Sequence, residues 1–534
     1  MIPRPARRPS APRSRRLAAL LAGLAVVAAA AFGGPGPGVA AGPGARIAMG
    51  EPATLDPAVA GDAASAAVIA QVFEGLTALD PSLTPRPALA AGWELRDGGT
   101  TVAFTLRDGL TFSDGTPLTA ADVRRSWLRV LDPAAPSPLS SLLYDVVGAR
   151  DYATGRGPAD AVGIVANGTS LEVRLDRPAG DFPAVAASPT LAVVPPGVGT
   201  VPGALQAGPG FVGSGGYLLV GTAADGLTLR ANPRYWAGEP AIPEITVVTD
   251  LGGRSPVDVF AGGEIDWVPV GTFDASWIAY DPDLGASLRQ WTDLAVTYYG
   301  FETRRPPFSD ARVRRAFAEA VDWSRIVDLV DGSTALPATS MVPPGIPGRS
   351  DERFLPAFDP AGARRLLAAA GYADPATFPT VTLVTAGTAY DGAIIAQLKA
   401  NLGITIRFEA LDFATLFERL GSASSPDLWS VSWIADYPSP NDFLGILLGT
   451  GQPNNYGGWT SADFDAAIAR AVGTTDAAAA RAGYDAAERI VADEVPVVPV
   501  SYGISDALSR DGLLGAAPNG LGILRLAGLA WAGQ

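Results

Sequence analysis

Apolar positions along the chain follow two periods. Residues 101–106 (TVAFTL) and 170–175 (SLEVRL) alternate apolar and polar, which predicts strands with one buried face. Residues 217–220, 405–408 and 429–434 extend the strand pattern, and Pro496 and Pro499 frame a short strand over 497–502. Between the strands the period lengthens. Thr119 and Asp122 form a capping-box start, and the helix behind them carries Val123, Trp127, Val130 and Leu131 on one stripe. Asp359-Pro360 opens a second helix, through Leu366, Leu367 and Ala370, that stops at Gly371. Residues 476–493 are Ala-rich and helical. Strands alternating with helices predict an α/β architecture. Loops rich in Pro and Gly at 132–138, 195–216 and 337–360 are candidate boundaries between subdomains.

Composition removes most catalytic chemistry. The 534 residues contain no Cys and no His, so disulfides, Cys- or His-ligated metals, and triads that use either residue are absent. Lys399 is the sole lysine, so amine nucleophiles rest on one residue. Carboxylate chemistry and oxygen-ligated metals remain. Charge is uneven: the first sixteen positions hold six Arg, and the first acid is Glu51. Without those six the formal charge of −15 falls to −21, and a body that acidic repels phosphate backbones and anionic lipid. Nucleic acid is therefore not an expected partner. Residues 4–16 are basic and 17–32 apolar, followed by Val39-Ala40-Ala41. That is the layout of an export signal over 1–41, cleaved after Ala41. Arg15-Arg16 just before the apolar run is a twin-arginine pair.

Three features could carry chemistry. Gly213 to Gly216 are Gly-rich but lack the Lys-Ser/Thr of a phosphate loop, so a tight turn at a close backbone approach is expected. Asp310, Asp322, Asp359 and Asp412 stand where helices begin, and capping accounts for them. A two-carboxylate hydrolase stays open, though no pair stands out. The third is residues 429–438 (WSVSWIADYP), a strand ending in Asp436 beside Trp433 and Tyr437. A carboxylate so placed is partly desolvated and attracts a cation such as a ligand ammonium; it would equally serve as a turn cap.

Taken together, the motifs resemble bacterial extracellular solute-binding proteins of family 5, the oligopeptide- and dipeptide-binding proteins of ABC importers. The matching pieces run in order: EPATLDP at 51–57, VFEGL at 72–76, LAAGW at 89–93 and LRDGLTFSDGTPLTAADV at 106–123. Then follow GSGGY at 213–217, NPRYW at 232–236, GEID at 263–266 and PFSDARVRRAF at 307–317. LLAAAGY at 366–372, ADYP at 435–438 and VPVVPV at 495–500 complete the set.

The resemblance implies a two-lobed α/β Venus flytrap with an extra subdomain in lobe I. Lobe I would take 42–83, 205–292 and 503–534, the extra subdomain 84–204 and lobe II 293–502. In peptide-binding members the ligand lies extended between the lobes and pairs its backbone with the protein's strands. An Asp after a Trp-containing strand holds its α-ammonium. By motif match that Asp is Asp436, the pocket Trp is Trp433, Ser432 and Ile434 flank it on the pairing edge, and Gly61, Asp62 and Ala63 match the opposite edge. The family also implies a non-enzymatic monomer without cofactor or metal, partnered by a peptide or other small solute and by the membrane permease. Its place is periplasmic, cell-surface or extracellular, with an uncleaved signal as an alternative anchor, and the lack of Cys excludes the lipid tether that many members use. An oligosaccharide, an opine or a metal chelate remain alternative ligands.

Overall fold

The structure, a computed structural model, describes residues 44–198, 205, 207–332, 334–422 and 425–533. The expected export signal at 1–41 lies outside them. An eleven-stranded mixed sheet runs through the molecule. At one end, Ala45–Ala48 pairs in parallel with Glu244–Val248 and with Trp267–Val270, and the antiparallel strands Gly226–Ala231 and Tyr217–Ala223 complete the edge. At the other end, Val381–Thr385 pairs in parallel with Ile406–Ala410 and with Leu428–Ile434. Two long antiparallel strands, Leu288–Phe301 and Val497–Ser509, join the ends.

These joining strands change register twice. Leu288 to Thr292 pair with Leu508 to Ile504, and pairing resumes at Val296 opposite Tyr502. Asp293, Leu294 and Ala295 therefore bulge opposite Gly503, where a Cβ would come within 3.0 Å of Asp293 Oδ2. The second shift lies between Thr297 and Tyr298, where Pro499 supplies no ladder N–H. The strand expected to end at Tyr502 thus passes through Pro499 and continues to Ser509. Its later partners lie some 200 residues away in sequence.

A separate four-stranded antiparallel sheet of Ala90–Arg96, Thr101–Leu106, Ser170–Arg174 and Ile164–Asn167 packs on the helix Ala120–Val130. Trp127 is fully buried there and donates its indole N–H to Leu191 O at 2.9 Å. The expected capping box at Thr119 is present, with Thr119 N donating to Asp122 Oδ2 at 2.8 Å. Asp310, Asp322, Asp359 and Asp412 each accept from a backbone N–H in the first turn of a helix, at 2.9, 3.2, 2.9 and 3.1 Å. The helix from Pro360 ends before Gly371, whose φ of 98° is the left-handed cap. The glycine run is also the expected close approach: a Cβ on Gly213 or Gly215 would lie 2.3 or 2.5 Å from backbone oxygens of Val72 and Gln71. No described helix is long and apolar enough to cross a membrane.

Candidate functional site

Leu428–Ile434 pairs with the joining strand along its whole length, Ile434 with Ala295 through Leu428 with Phe301. Its other neighbour, Val381–Thr385, reaches only Leu428 and Trp429. Among the described residues no strand pairs with the outer edge of 430–434. Ser432 and Ile434 stand there exposed, Ile434 at 67%. Ser432 Oγ hydrogen-bonds Thr297 Oγ1 at 2.8 Å, so its side chain turns to the paired neighbour and leaves the backbone edge clear.

The strand end is fixed from behind by the bulge. Leu294 O accepts from Ala435 N at 2.8 Å, and Leu294 N donates to Gly520 O at 2.8 Å. One bulged residue thus ties the strand end to the C-terminal segment. Asp436 follows, half-buried, in a narrow crevice. On its own side are Tyr437 and Pro438; facing them are Ala70, Leu79, Ala184 and Ser188, and the segment from Asn519 through Ile523 to Arg525 closes the end. Tyr437 reaches across and packs into the core of the four-stranded sheet.

Behind Asp436 lies Asp442, fully buried, which sequence reasoning missed. Asp442 Oδ2 accepts from Trp433 Nε1 at 3.0 Å and from the backbone N–H of Asp436 at 3.1 Å. The indole of Trp433 is therefore pinned by a carboxylate. Asp442 Oδ1 is buried with no hydrogen-bond partner. Burial pushes the Asp436 carboxyl up to about 6. Asp442 stands well above the usual carboxylate range, through burial first and the neighbouring Asp436 second. Two cations near this region, Arg525 and Arg177, are already paired. Arg525 donates to both oxygens of Glu74 at 2.9 and 3.1 Å, and Arg177 donates to Asp145 at 3.0 Å. Glu74 also accepts from Tyr235 OH at 2.5 Å. Such a site favours a cationic group that arrives with the ligand.

Gly61, Asp62 and Ala63 are exposed and line no part of the crevice. Asp62 caps the helix Ala63–Val72, accepting from Ser65 N at 2.8 Å, and Ala70 of that helix reaches the crevice. The Asp62 side chain is thus committed to the helix start, which leaves its backbone for any ligand contact. Among the described residues no group of three acids is placed to hold a metal ion.

Residues 84–455 match the family model for the bacterial extracellular solute-binding proteins, family 5 (middle region). A probable deoxycholate-binding periplasmic protein of Escherichia coli is 31% identical over 473 residues, covering 85% of this chain and 86% of its own. An oligopeptide-binding protein of Bacillus subtilis is 28% identical over 492 residues, covering 88% and 89%. A periplasmic murein tripeptide-binding protein in its unliganded open form superposes with a TM-score of 0.81 at 25% identity, over 92% of this chain and 98% of that one.

Proposed function

The chain belongs to the bacterial extracellular solute-binding proteins of family 5, with their two-lobed α/β Venus-flytrap fold, and from that premise we propose that it captures short peptides by their free amino end for the permease of an ABC importer. The observation that carries this is Asp436. It is a half-buried carboxylate with no cation of its own among the described residues, placed where an unpaired strand edge ends. A peptide adding its backbone to residues 430–434 brings its α-ammonium toward that end. The peptide-binding relatives support the same ligand class. The protein acts outside the cytoplasm as a monomer and performs no catalysis. Lobe I comprises 42–83, 205–292 and 503–534, with 84–204 as its extra subdomain, and lobe II comprises 293–502. The bulge at 293–295 opposite Gly503 supports that division, because it interrupts the two strands that join the ends of the sheet.

Calorimetry with trialanine tests the proposal. Removing one partner of a buried ion pair strands the other and costs ~3–5 kcal/mol. Asp436→Asn should therefore weaken trialanine roughly 100- to 1000-fold. N-acetyl-trialanine should lose a similar factor on the wild type and far less on the variant. Equal affinity of wild type and variant for both peptides would show that Asp436 touches no ammonium.

A second reading has one observation behind it, the deoxycholate-binding relative. Leu79, Leu521 and Ile523 give the crevice an apolar wall that a steroid could cover. A steroid acid is an anion, however, and would face Asp436. Thermal stabilisation by deoxycholate but not by trialanine would favour this reading.

A further inference from the structure

We propose that Asp436 and Asp442 act as one carboxyl pair, holding a proton between them while the site is empty and releasing it to solvent when a cationic head group enters. This rests on the peptide proposal above for the identity of that head group. It makes Asp442, which no ligand need touch, the residue that sets the site's preference for cations.

The geometry is specific. Asp442 Oδ2 accepts from the backbone N–H of Asp436 at 3.1 Å, which sets the buried carboxyl directly behind the residue that carries the other one. That oxygen is also held by the Trp433 indole. The other oxygen, Asp442 Oδ1, is buried and has no partner. A buried carboxylate oxygen left bare is costly; a proton removes the charge that makes it so, and a cation's N–H would satisfy it. A second negative charge beside it raises that cost, so two carboxylates sharing a site hold one proton between them.

The surroundings do not relieve the charge. From the four-stranded-sheet subdomain Asp181 faces the pair, and burial raises it also; Arg177 beside it is bound to Asp145. From the helix Ala477–Glu494 comes Tyr484, from the strand end itself Tyr437, and neither supplies a positive charge; Arg481 of that helix is exposed and lines the adjoining cavity with Asp181, not the crevice of Asp436. From the C-terminal segment comes Arg525, spent on Glu74. An entering ammonium is the missing positive charge. The pair then becomes a dianion facing one cation, and the displaced proton leaves to buffer. By linkage, affinity for the cation rises with pH wherever its binding expels that proton.

Two measurements test this. The first needs no ligand: follow the Asp436 carboxyl carbon by NMR in aspartate-labelled empty protein, assigned by its loss in Asp436→Asn. A midpoint near 6 is expected for Asp436, and the Asp442 carboxyl carbon, assigned by its loss in Asp442→Asn, should titrate above the ordinary carboxylate range and fall toward it in Asp436→Asn. A wild-type midpoint in the ordinary carboxylate range overturns the proposal, whatever trialanine does. The second is trialanine calorimetry at pH 6.5 in buffers of different ionisation enthalpy. About half a proton or more released per peptide is expected, near zero for N-acetyl-trialanine. Trialanine heat that is the same in every buffer overturns the linkage and leaves the peptide proposal standing. A raised midpoint with no trialanine heat at all overturns the peptide proposal, and the release step with it, while the proton-holding pair stands.

Discussion

Asp442 illustrates how much a single side chain can decide. It lies six residues past Asp436 in the run PSPND, where an acid ordinarily caps a turn, and nothing local separates the two roles. Its burial comes from the fold: the Trp433 indole and the Asp436 N–H close over it. Asp436 was legible because it ends a strand between aromatics; Asp442 was not, because its partners are set by how that loop folds back. A pH effect on stability follows. The folded-state pKa of Asp436 is raised, so the folded protein binds more protons than the unfolded chain between the ordinary carboxylate range and about 6. Stability is therefore lost as pH rises through that window. Glu488, pushed up to about 7 by burial, acts with the same sign. Asp442→Asn keeps the acceptor for Trp433 and can donate to Asp436. It should raise the melting temperature at pH 7.5 by a few degrees and by little at pH 4, as scanning calorimetry at the two pH values would show. A lower melting temperature at pH 7.5 would mean that Asp442 is stabilised as a charge.

At the scale of elements, what could be read in the sequence was local. The capping acids at 310, 322, 359 and 412 and the box at 119–122 need only neighbours in the chain, and each is found where expected. The length of the Val497–Ser509 strand could not be read, because residues 504–509 pair with segments more than 200 positions away. The bulge was equally hidden, yet it holds the site: Leu294 links Ala435 to Gly520. A Cβ on Gly520 would lie 2.9 Å from Leu294 Cγ. Gly520→Ala should thus push Leu294 and cost about 1–3 kcal/mol in urea unfolding, together with a loss of trialanine affinity. Leu294→Ala in the same chain removes the clash, so the two costs should be clearly less than additive. Additive costs would show that the bulge does not carry strain from the C-terminal segment to the strand end. As a control, Asp359→Ala removes a cap remote from the crevice and should cost about 1 kcal/mol with trialanine affinity unchanged.

For the molecule as a whole, two halves of one sheet meet through two irregular strands, and the candidate cation site sits where they meet. That arrangement suits closure on a ligand: register shifts take up bending, and each half keeps its own core. Small-angle scattering should show the radius of gyration falling when trialanine saturates the protein and staying put with N-acetyl-trialanine at the same concentration. An unchanged profile at saturation would argue against a flytrap. The central claim, that the crevice takes a peptide by its amino end, is tested most directly by mass spectrometry of whatever leaves the protein when it is purified without refolding and then denatured. Intact short peptides with free amino termini are the expected result. A released fraction of steroid acids or glycans without peptides would contradict it.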